Sequence, residues 1–222
     1  FYVRPFVIAT EPLLAVRPSH EYQFIIIGCP VGPYYAEGLA PTKIYVEDHY
    51  VRAVVGGTGY AKVGGNYAAG FKAQEIAHEK GYSQILWMDG VERKYVEEIG
   101  TSNAFFVIDD EVLTSELTGS ILPGITRDSV ITVLKSWGIK VTERRITIEE
   151  IYQAHQEGRL KECFASGTAA VISPVGELGW KEKHMVINNG EIGEISQKVY
   201  DTITGIQAGK LEDKFSWVTI VE

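Results

Sequence analysis

The chain has 222 residues, of which 45% are hydrophobic and 23% are charged. This is enough apolar content for one sizeable core, or for one full domain and part of another, and it excludes intrinsic disorder as the main state. The 21 basic and 29 acidic residues give a net charge of −8, which argues against nucleic acid or an anionic membrane as the main partner.

Further classes of protein are excluded by the cysteines, the histidines and the length of the apolar runs. Cys29 and Cys163 are the only cysteines, which excludes a disulfide framework and favours a reducing cytoplasm. The five histidines are scattered singly, so we expect no metal site. Residues 24–31 form the longest apolar run, far short of the roughly 20 residues that span a bilayer. The chain opens on Phe1 rather than Met, within a strand-like run, and we expect it to be part of a longer protein.

The pattern of residues near the start of the chain predicts that the chain is divided into two structural units. Residues 1–10 and 22–31 are predicted as β-strands, the second apolar throughout and therefore expected to be buried. Prolines and glycines between Pro30 and Pro41 predict an interdomain connector. A strand over Lys43–Val46 begins the second unit. We therefore divide the chain into residues 1–35 and residues 36–222.

The second unit alternates helices and strands without the regular βαβα order of a doubly wound fold. Helices are predicted over 68–80, 126–137 and 148–156, each ending at a glycine, with Thr126 as a candidate N-cap. Strands are predicted over 84–89, 103–108, 112–114 and 141–145, and a strand–turn–strand over 164–175. The fold class is therefore α/β or α+β.

A glycine-rich segment around Lys62, GGTGYAKVGGNY over residues 56–67, is the most informative stretch. Its composition is compatible with a flexible surface loop. A P-loop requires Ser or Thr after the lysine, where Val63 stands, and a dinucleotide fingerprint requires a glycine where Lys62 stands. Neither phosphate motif fits. A lysine held in such a tight backbone is suited to Schiff-base chemistry.

Several motifs together resemble the branched-chain amino acid aminotransferases, which are class IV pyridoxal-phosphate (PLP) enzymes. They are YVRP at residues 2–5, AKVGGNY at 61–67, EEIGTSNAF at 97–105, LPGITR at 122–127 and SGTAA at 166–170. The resemblance covers the whole chain, in the expected order, and implies that family's fold. It also implies transamination of Leu, Ile and Val with 2-oxoglutarate, and a homodimer. By the same resemblance, the small N-terminal domain is present only as its final strands.

The resemblance implies a role for each matching residue at the cofactor ring. Lys62 would hold the PLP aldehyde and move the substrate proton, and Tyr67 would hydrogen-bond the phenolic oxygen of the cofactor. Glu98 would keep the pyridine nitrogen protonated. Strand alternation would turn its neighbour Glu97 the other way, towards solvent.

Two further sets of residues match the phosphate and substrate positions of the family. Ile125 and Thr126, at a predicted helix start, and Gly167 and Thr168, in a predicted turn, resemble the phosphate loops. The backbone N–H of Ala169 would help to hold the substrate α-carboxylate. Tyr2 and Arg4 would line the substrate pocket, and Arg4 would bind the second carboxylate of glutamate or 2-oxoglutarate. Arg127 is a candidate either for a phosphate ligand or for a structural residue.

Other functions remain open at this stage. A D-amino-acid aminotransferase or an aminodeoxychorismate lyase would share the lysine and the phosphate loops. An inactive fragment or a binding module would account for the missing front domain. The glycine-rich segment and the YVRP start favour the branched-chain group.

Overall fold

The computed structural model describes residues 1–32 and 39–221. The chain divides into two compact units, Phe1–Gly38 and Leu39–Glu222. Residues 33–38, which belong to the predicted connector, lie outside the described residues.

Eleven strands and five α-helices are found in the described part of the chain. The strands are β1 (Tyr2–Ala9), β2 (Tyr22–Cys29), β3 (Thr42–Glu47), β4 (Gln84–Met88), β5 (Val96–Ile99), β6 (Ser102–Ile108), β7 (Glu111–Thr114), β8 (Lys140–Glu143), β9 (Leu160–Gly167), β10 (Val171–Trp180) and β11 (Lys183–Val186). The helices are α1 (Gly64–Ala68), α2 (Phe71–Glu79), α3 (Ile125–Ser136), α4 (Ile148–Gln156) and α5 (Glu194–Gln207).

The first unit is an antiparallel ribbon of β1 and β2, in register from Tyr2 opposite Cys29 to Ala9 opposite Tyr22. Both strands were predicted, but the prediction that the second is buried is wrong. Phe24 is 66% exposed and Ile26 is 61% exposed. The described residues of this unit contain no third strand or helix that could cover the apolar side chains.

The second unit is built on a ring of six strands, which confirms the predicted α/β character. Following the pairings, the ring runs β3–β4–β5–β6–β9–β10 and returns to β3. β7 and β8 extend from β6, and β11 extends from β10. Parallel pairs (β3–β4, β3–β10 and β7–β8) and antiparallel pairs are mixed in this sheet. Among the described residues of this unit, closing the ring leaves strand edges only where β7, β8 and β11 branch off.

Apolar side chains pack in three clusters that hold the helices on the sheet. The largest lies between the sheet and α4, where Ile148 and Ile151 are buried together with Cys163. The second joins α3 and α5 to β6 and β9, whose Phe105 and Phe164 rings stack with centroids 5.0 Å apart. The third seats α2 on Trp87. Each large buried side chain stabilises the fold by about 1.5–3 kcal/mol. The predicted burial of Cys163 is confirmed.

The helices differ from the prediction at three places. The helix expected over 68–80 is two helices broken at Gly70, where an added Cβ would lie 3.0 Å from the Trp87 ring. Thr126 is not the N-cap of α3: Gly124 holds that position, and no side chain caps the helix. Helix α5 was not predicted, although its buried Val199, Ile203 and Ile206 follow helical spacing.

Candidate active site

Lys62 lies just before α1, and its amine contacts the hydroxyl of a residue on that helix. Nζ of Lys62 donates a hydrogen bond of 2.6 Å to the Tyr67 hydroxyl and lies 5.1 Å from the centroid of the Tyr67 ring. The single turn of α1 returns Tyr67 to the lysine, five residues along the chain. The structure therefore places two residues that were matched to the cofactor ring side by side.

The glycine-rich segment is anchored rather than loose. The buried Asn66 side chain donates to the Thr58 carbonyl at 2.7 Å and to the Ala61 carbonyl at 2.8 Å, and accepts from the Thr58 hydroxyl at 2.6 Å. At Gly59, an added Cβ would lie 2.1 Å from the carbonyl oxygen of Ser120, so only glycine fits there. These contacts fix the backbone from which Lys62 projects.

Glu98, on β5, is a buried carboxylate with two partners. It is 3% exposed, and its Oε1 accepts a 2.9 Å hydrogen bond from the Leu122 backbone N–H. Its Oε2 lies 3.3 Å from Nε of Arg52. Burial raises the pKa of Glu98 to about 7, against the opposing effects of Arg52, Leu122 and the Lys62 charge. The charge of Lys62 therefore acts on the Glu98 carboxylate.

The register of the sheet places Glu98 in a row with two polar residues of the next strands. Glu98 on β5 pairs with Asn103 on β6, and Asn103 pairs with Ser166 on β9. Directly paired residues lie on the same face of a sheet. Asn103 donates to the Leu122 carbonyl at 2.9 Å, while Leu122 donates to Glu98, so this row holds the chain just before α3.

Both predicted phosphate loops are held by β6. At Gly124, which precedes Ile125 and Thr126, an added Cβ would lie 2.3 Å from Oδ1 of Asn103. At Gly167, an added Cβ would lie 2.8 Å from Oγ of Ser102. The two loops therefore approach consecutive residues of one strand, and their glycines allow the close contact. Thr168 and Ala169 follow as an exposed turn between β9 and β10.

The predicted solvent exposure of Glu97 is wrong. Glu97 is 5% exposed, and its Oε1 accepts a hydrogen bond from the Ser120 hydroxyl. Burial raises the pKa of Glu97. Glu97 does line a different cavity from Glu98. The alternation along β5 separates the two carboxylates, but both of them are buried.

Arg127, Tyr2 and Arg4 complete the predicted set. Arg127 is 4% exposed and donates to the Ser115 carbonyl at 2.9 Å and to Glu143 at 2.7 Å, which favours the structural role. Tyr2 and Arg4 lie on β1 in the first unit, where Arg4 donates to the Tyr2 hydroxyl at 2.7 Å. Their part in a substrate pocket stays a prediction.

Sequence reasoning missed four residues that position the site. They are Arg52, Asn66, Ser102 and Asn103. Asn66, Ser102 and Asn103 stand inside or beside motifs already quoted, so their closeness to the matched residues was a usable signal. Arg52 lies well before Glu98 in the chain, and no local pattern distinguishes it from an ordinary surface arginine.

Comparison with known proteins shows the family to which the chain belongs. The family described as amino-transferase class IV matches residues 33–178. The chain is 60% identical over 220 residues to branched-chain-amino-acid aminotransferase 2 of Bacillus subtilis, across 99% of this chain and 61% of that protein. It is 47% identical over 221 residues to a branched-chain-amino-acid aminotransferase of Mycolicibacterium smegmatis, across 98% of this chain and 60% of that protein.

Solved structures show the same fold. The branched-chain amino acid aminotransferase of Escherichia coli is 31% identical, with a TM-score of 0.83, over 97% of this chain and 68% of that one. The branched-chain amino acid aminotransferase of Thermoproteus uzoniensis, solved with norvaline, is 30% identical with a TM-score of 0.80, over 98% of this chain and 68% of that one.

The chain belongs to the class IV aminotransferases and has their fold. Within that family, both curated relatives described above are named as branched-chain-amino-acid aminotransferases. The chain spans about three fifths of the length of the curated relatives it matches.

The cofactor of this family is PLP, and the side chains of the site fit it. Lys62 provides an amine with a hydroxyl beside it, and Glu98 provides a buried carboxylate for a ring nitrogen. The first N–H groups of α3 have no side-chain cap and can receive a phosphate. Ser166, in the row with Glu98, has a buried hydroxyl without a partner in the described part of the chain.

Two other features are absent from residues 1–32 and 39–221. No group of three or more His, Cys, Asp or Glu residues there could hold a metal ion. No helix there combines the length and the apolar character needed to cross a membrane.

Proposed function

We propose that the protein transfers the amino group of leucine, isoleucine or valine to 2-oxoglutarate, giving branched-chain 2-oxo acids and glutamate, with PLP as cofactor. The observation that carries this proposal is the 2.6 Å contact between Lys62 and Tyr67 beside the buried Glu98. The 60% identity to a relative named as a branched-chain aminotransferase supports the substrate class.

Each residue at the cofactor ring would have a separate role in the reaction. When bound, PLP supplies the electron sink that stabilises negative charge at the substrate α-carbon. Lys62 would attach the cofactor through Nζ. Once the substrate amino group has replaced it there, the released amine would take the proton from the α-carbon and return it in the opposite half of the exchange. Tyr67 holds Nζ by a hydrogen bond. Glu98, as a carboxylate, would hold a proton at the pyridine nitrogen.

Backbone groups and an arginine would bind the cofactor phosphate and the substrate carboxylates. The phosphate would be held by the N–H groups of Ile125 and Thr126 at the start of α3, and by Gly167 and Thr168. The N–H of Ala169 would receive the substrate α-carboxylate. Arg4, oriented by its bond to the Tyr2 hydroxyl, would bind the second carboxylate of glutamate or 2-oxoglutarate.

We propose further that residues 1–35 are the end of a smaller domain and its connector, and that residues 36–222 are the large PLP-binding domain. A two-stranded ribbon is marginal in water by itself, and β2 exposes Phe24 and Ile26. The share of the relatives that the chain spans also supports this division.

The oligomeric state is proposed from the family, and the cellular compartment from the cysteines. We propose a homodimer, supported by large apolar side chains on the surface of the second unit, such as Phe71 at 66% and Ile125 at 82% exposure. We place the protein in the cytoplasm, because both cysteines are free thiols and a reducing compartment keeps thiols in that form.

The proposal is tested with a chimera that supplies a small N-terminal domain. The part of the Bacillus subtilis relative that precedes the match is joined to this chain, and glutamate formation from leucine and 2-oxoglutarate is measured. We expect leucine-dependent turnover by the chimera, weak PLP binding without leucine turnover by the 222-residue chain alone, and no turnover by the chimera with Lys62→Ala. Because a closed site shields reacting groups from water, the bare chain should bind PLP less tightly than the chimera.

Other outcomes would select the rival functions. Turnover of D-alanine instead of leucine would indicate a D-amino-acid aminotransferase. PLP binding without exchange of any amino acid by the chimera would indicate an inactive remnant. Leucine turnover by the chain alone, at the rate of the chimera, would contradict the proposed division of labour between the two domains.

A further inference from the structure

Val171, which closes the turn that begins at Thr168, has a backbone conformation that β-branched residues rarely adopt. Its φ is 60°, in the left-handed region, where the Cβ of an L-residue crowds the following carbonyl oxygen. Glycine is the usual residue where the loop of a hairpin needs a positive φ. An outlier of this kind persists only where the surrounding structure holds it.

The side chain of Val171 lies on the face of the sheet opposite to the one that its pairing predicts. Val171 pairs with Gly167, two residues beyond Ala165 on β9. Regular alternation would therefore point it to the face of Ala165, which packs in the largest apolar cluster. Val171 instead packs in the second cluster, together with its neighbour Ile172. The left-handed backbone turns the side chain over, and burial in the second cluster holds it there.

The turn that Val171 closes presents two backbone donors. Thr168 and Ala169 are exposed, and their N–H groups donate to no acceptor in the part of the chain that the structure describes. The other end of the turn is held at Gly167, where an added Cβ would lie 2.8 Å from Oγ of Ser102. The two donors therefore lie in a turn that is held at both ends.

The second cluster also reaches the other predicted phosphate loop. Helix α3 begins at Ile125, and its Val130 and Leu134 are buried in the same cluster as Val171. One packed group of side chains thus holds both the turn after Gly167 and the helix whose first N–H groups were matched to the phosphate.

We propose that Val171 is a positioning residue for the anionic ends of the ligands. Its buried side chain holds the left-handed backbone, and this backbone fixes the turn in the conformation that offers the N–H groups of Thr168 and Ala169 to the cofactor phosphate and the substrate carboxylate. This role rests on the proposed function, which assigns those groups to the ligands. A turn ordered in advance loses less conformational freedom when a ligand binds.

The strain at Val171 is tested by the order of two small substitutions. Urea unfolding of the PLP-free chain compares Val171→Gly with Val171→Ala, which both empty the same buried site. We expect the glycine variant to be the more stable, by at least threefold in the unfolding equilibrium constant, because glycine adopts a positive φ without steric cost. Val112 is the matched control: it is buried in the same cluster, on β7, without a positive φ. There the alanine variant should be the more stable.

The positioning role is tested by ligand binding. Fluorescence titration of the whole chain compares PLP with pyridoxal, which lacks the phosphate. Val171→Ala should weaken PLP binding at least tenfold and pyridoxal binding less than twofold, since the contacts to the ring remain. Val171→Asn should keep the PLP affinity within threefold, because asparagine tolerates the left-handed backbone. Val112→Ala, which opens a cavity in the same cluster, should leave the ratio of the two affinities unchanged.

Four results would each overturn the role of Val171. They are an alanine variant as stable as the glycine variant, equal losses of PLP and pyridoxal affinity, equal losses of PLP affinity in Val171→Asn and Val171→Ala, and the same selective loss in Val112→Ala. If the wild-type chain binds PLP and Val171→Ala binds it equally well, this role is wrong and the proposed function stands. If the wild-type chain does not bind PLP, the proposed function is wrong as well.

Discussion

Arg52 and Glu98 form an ion pair inside the protein, with Nε 3.3 Å from Oε2 and side chains only 8% and 4% exposed. The guanidinium opposes the effect of burial, which alone would push the pKa of Glu98 above the value of about 7. Arg52 also donates to the Ser120 carbonyl, and Ser120 donates to Glu97. Among the groups that favour the ionised form of Glu98, the arginine has the largest effect.

Replacing Arg52 should therefore protonate Glu98. Arg52→Met should raise the pKa of Glu98 by on the order of one unit or more, because an opposite charge within a few ångströms favours the carboxylate. Arg52→Lys keeps a charge and should shift it less. NMR titration of the ¹³C-labelled Glu98 carboxyl measures this directly. An unchanged titration in Arg52→Met would show that Arg52 does not control the ionisation of Glu98.

Lys62 should be the lysine that carries the cofactor. Borohydride reduction of the PLP-loaded protein, followed by peptide mapping, should label Lys62, because its amine is the one held by Tyr67. Lys62→Ala should abolish turnover and still bind PLP non-covalently through the phosphate loops. Lys72→Ala is the matched control, since Lys72 pairs only with the exposed Glu75. A label on Lys72 or Lys43 would rule out the assignment.

Glu98 and Glu97 should differ in their effect on activity. Glu98→Gln should lower turnover of the chimera by orders of magnitude, since a neutral amide does not hold the pyridine nitrogen protonated. Glu97→Gln should be nearly silent, because the amide can still accept from the Ser120 hydroxyl. Steady-state rates with leucine compare the two. Equal losses, or the reverse order, would show that the register along β5 has been misassigned.

The stability of the PLP-free chain should fall as the pH rises from about 4.5 to 7. Glu98 has a pKa of about 7 when folded and an ordinary value of 4.5, so between these values the folded state binds more protons than the unfolded state. The loss should be on the order of 3 kcal/mol at alkaline pH, relative to about pH 4.

Urea unfolding across that pH range measures the free energy of unfolding. Glu98→Gln should flatten the dependence, whereas Glu79→Gln, at an exposed position on α2, should leave it unchanged. Burial also raises the pKa of Glu97, so a smaller fall should remain in Glu98→Gln. A stability that rises with pH over this range would contradict the assigned direction of the Glu98 shift.

Gly167 should tolerate a side chain only if Ser102 is shortened. Gly167→Ala would place a Cβ 2.8 Å from the Ser102 hydroxyl oxygen, but 3.5 Å from the Ser102 Cβ. The single variant should weaken PLP binding roughly tenfold by displacing the turn, in line with about 1.4 kcal/mol per tenfold change. Adding Ser102→Ala should restore most of the affinity. Fluorescence titration with PLP measures both, and failure of the double variant to recover would show that Gly167 serves another purpose.

Much of the fold and site could be predicted because the signals were local. The ends of α3 and α4 follow glycines and apolar spacing that stand next to one another in the chain. Lys62 and Tyr67 are brought together by a single helical turn. The break at Gly70 could not be predicted in this way, because its cause is the ring of Trp87 on another element.

The sequence by itself determined the α/β class, the glycine-rich lysine segment and the family, since each depends on residue types at short spacings. Tertiary structure decided the environment of each carboxylate. Glu97 and Glu98 are neighbours with the same chemistry, yet Glu98 contacts Arg52 and Leu122 while Glu97 accepts from the Ser120 hydroxyl. The pKa of a carboxyl group depends on the charges and the solvent around it in space, and those come from strands and loops distant in the chain.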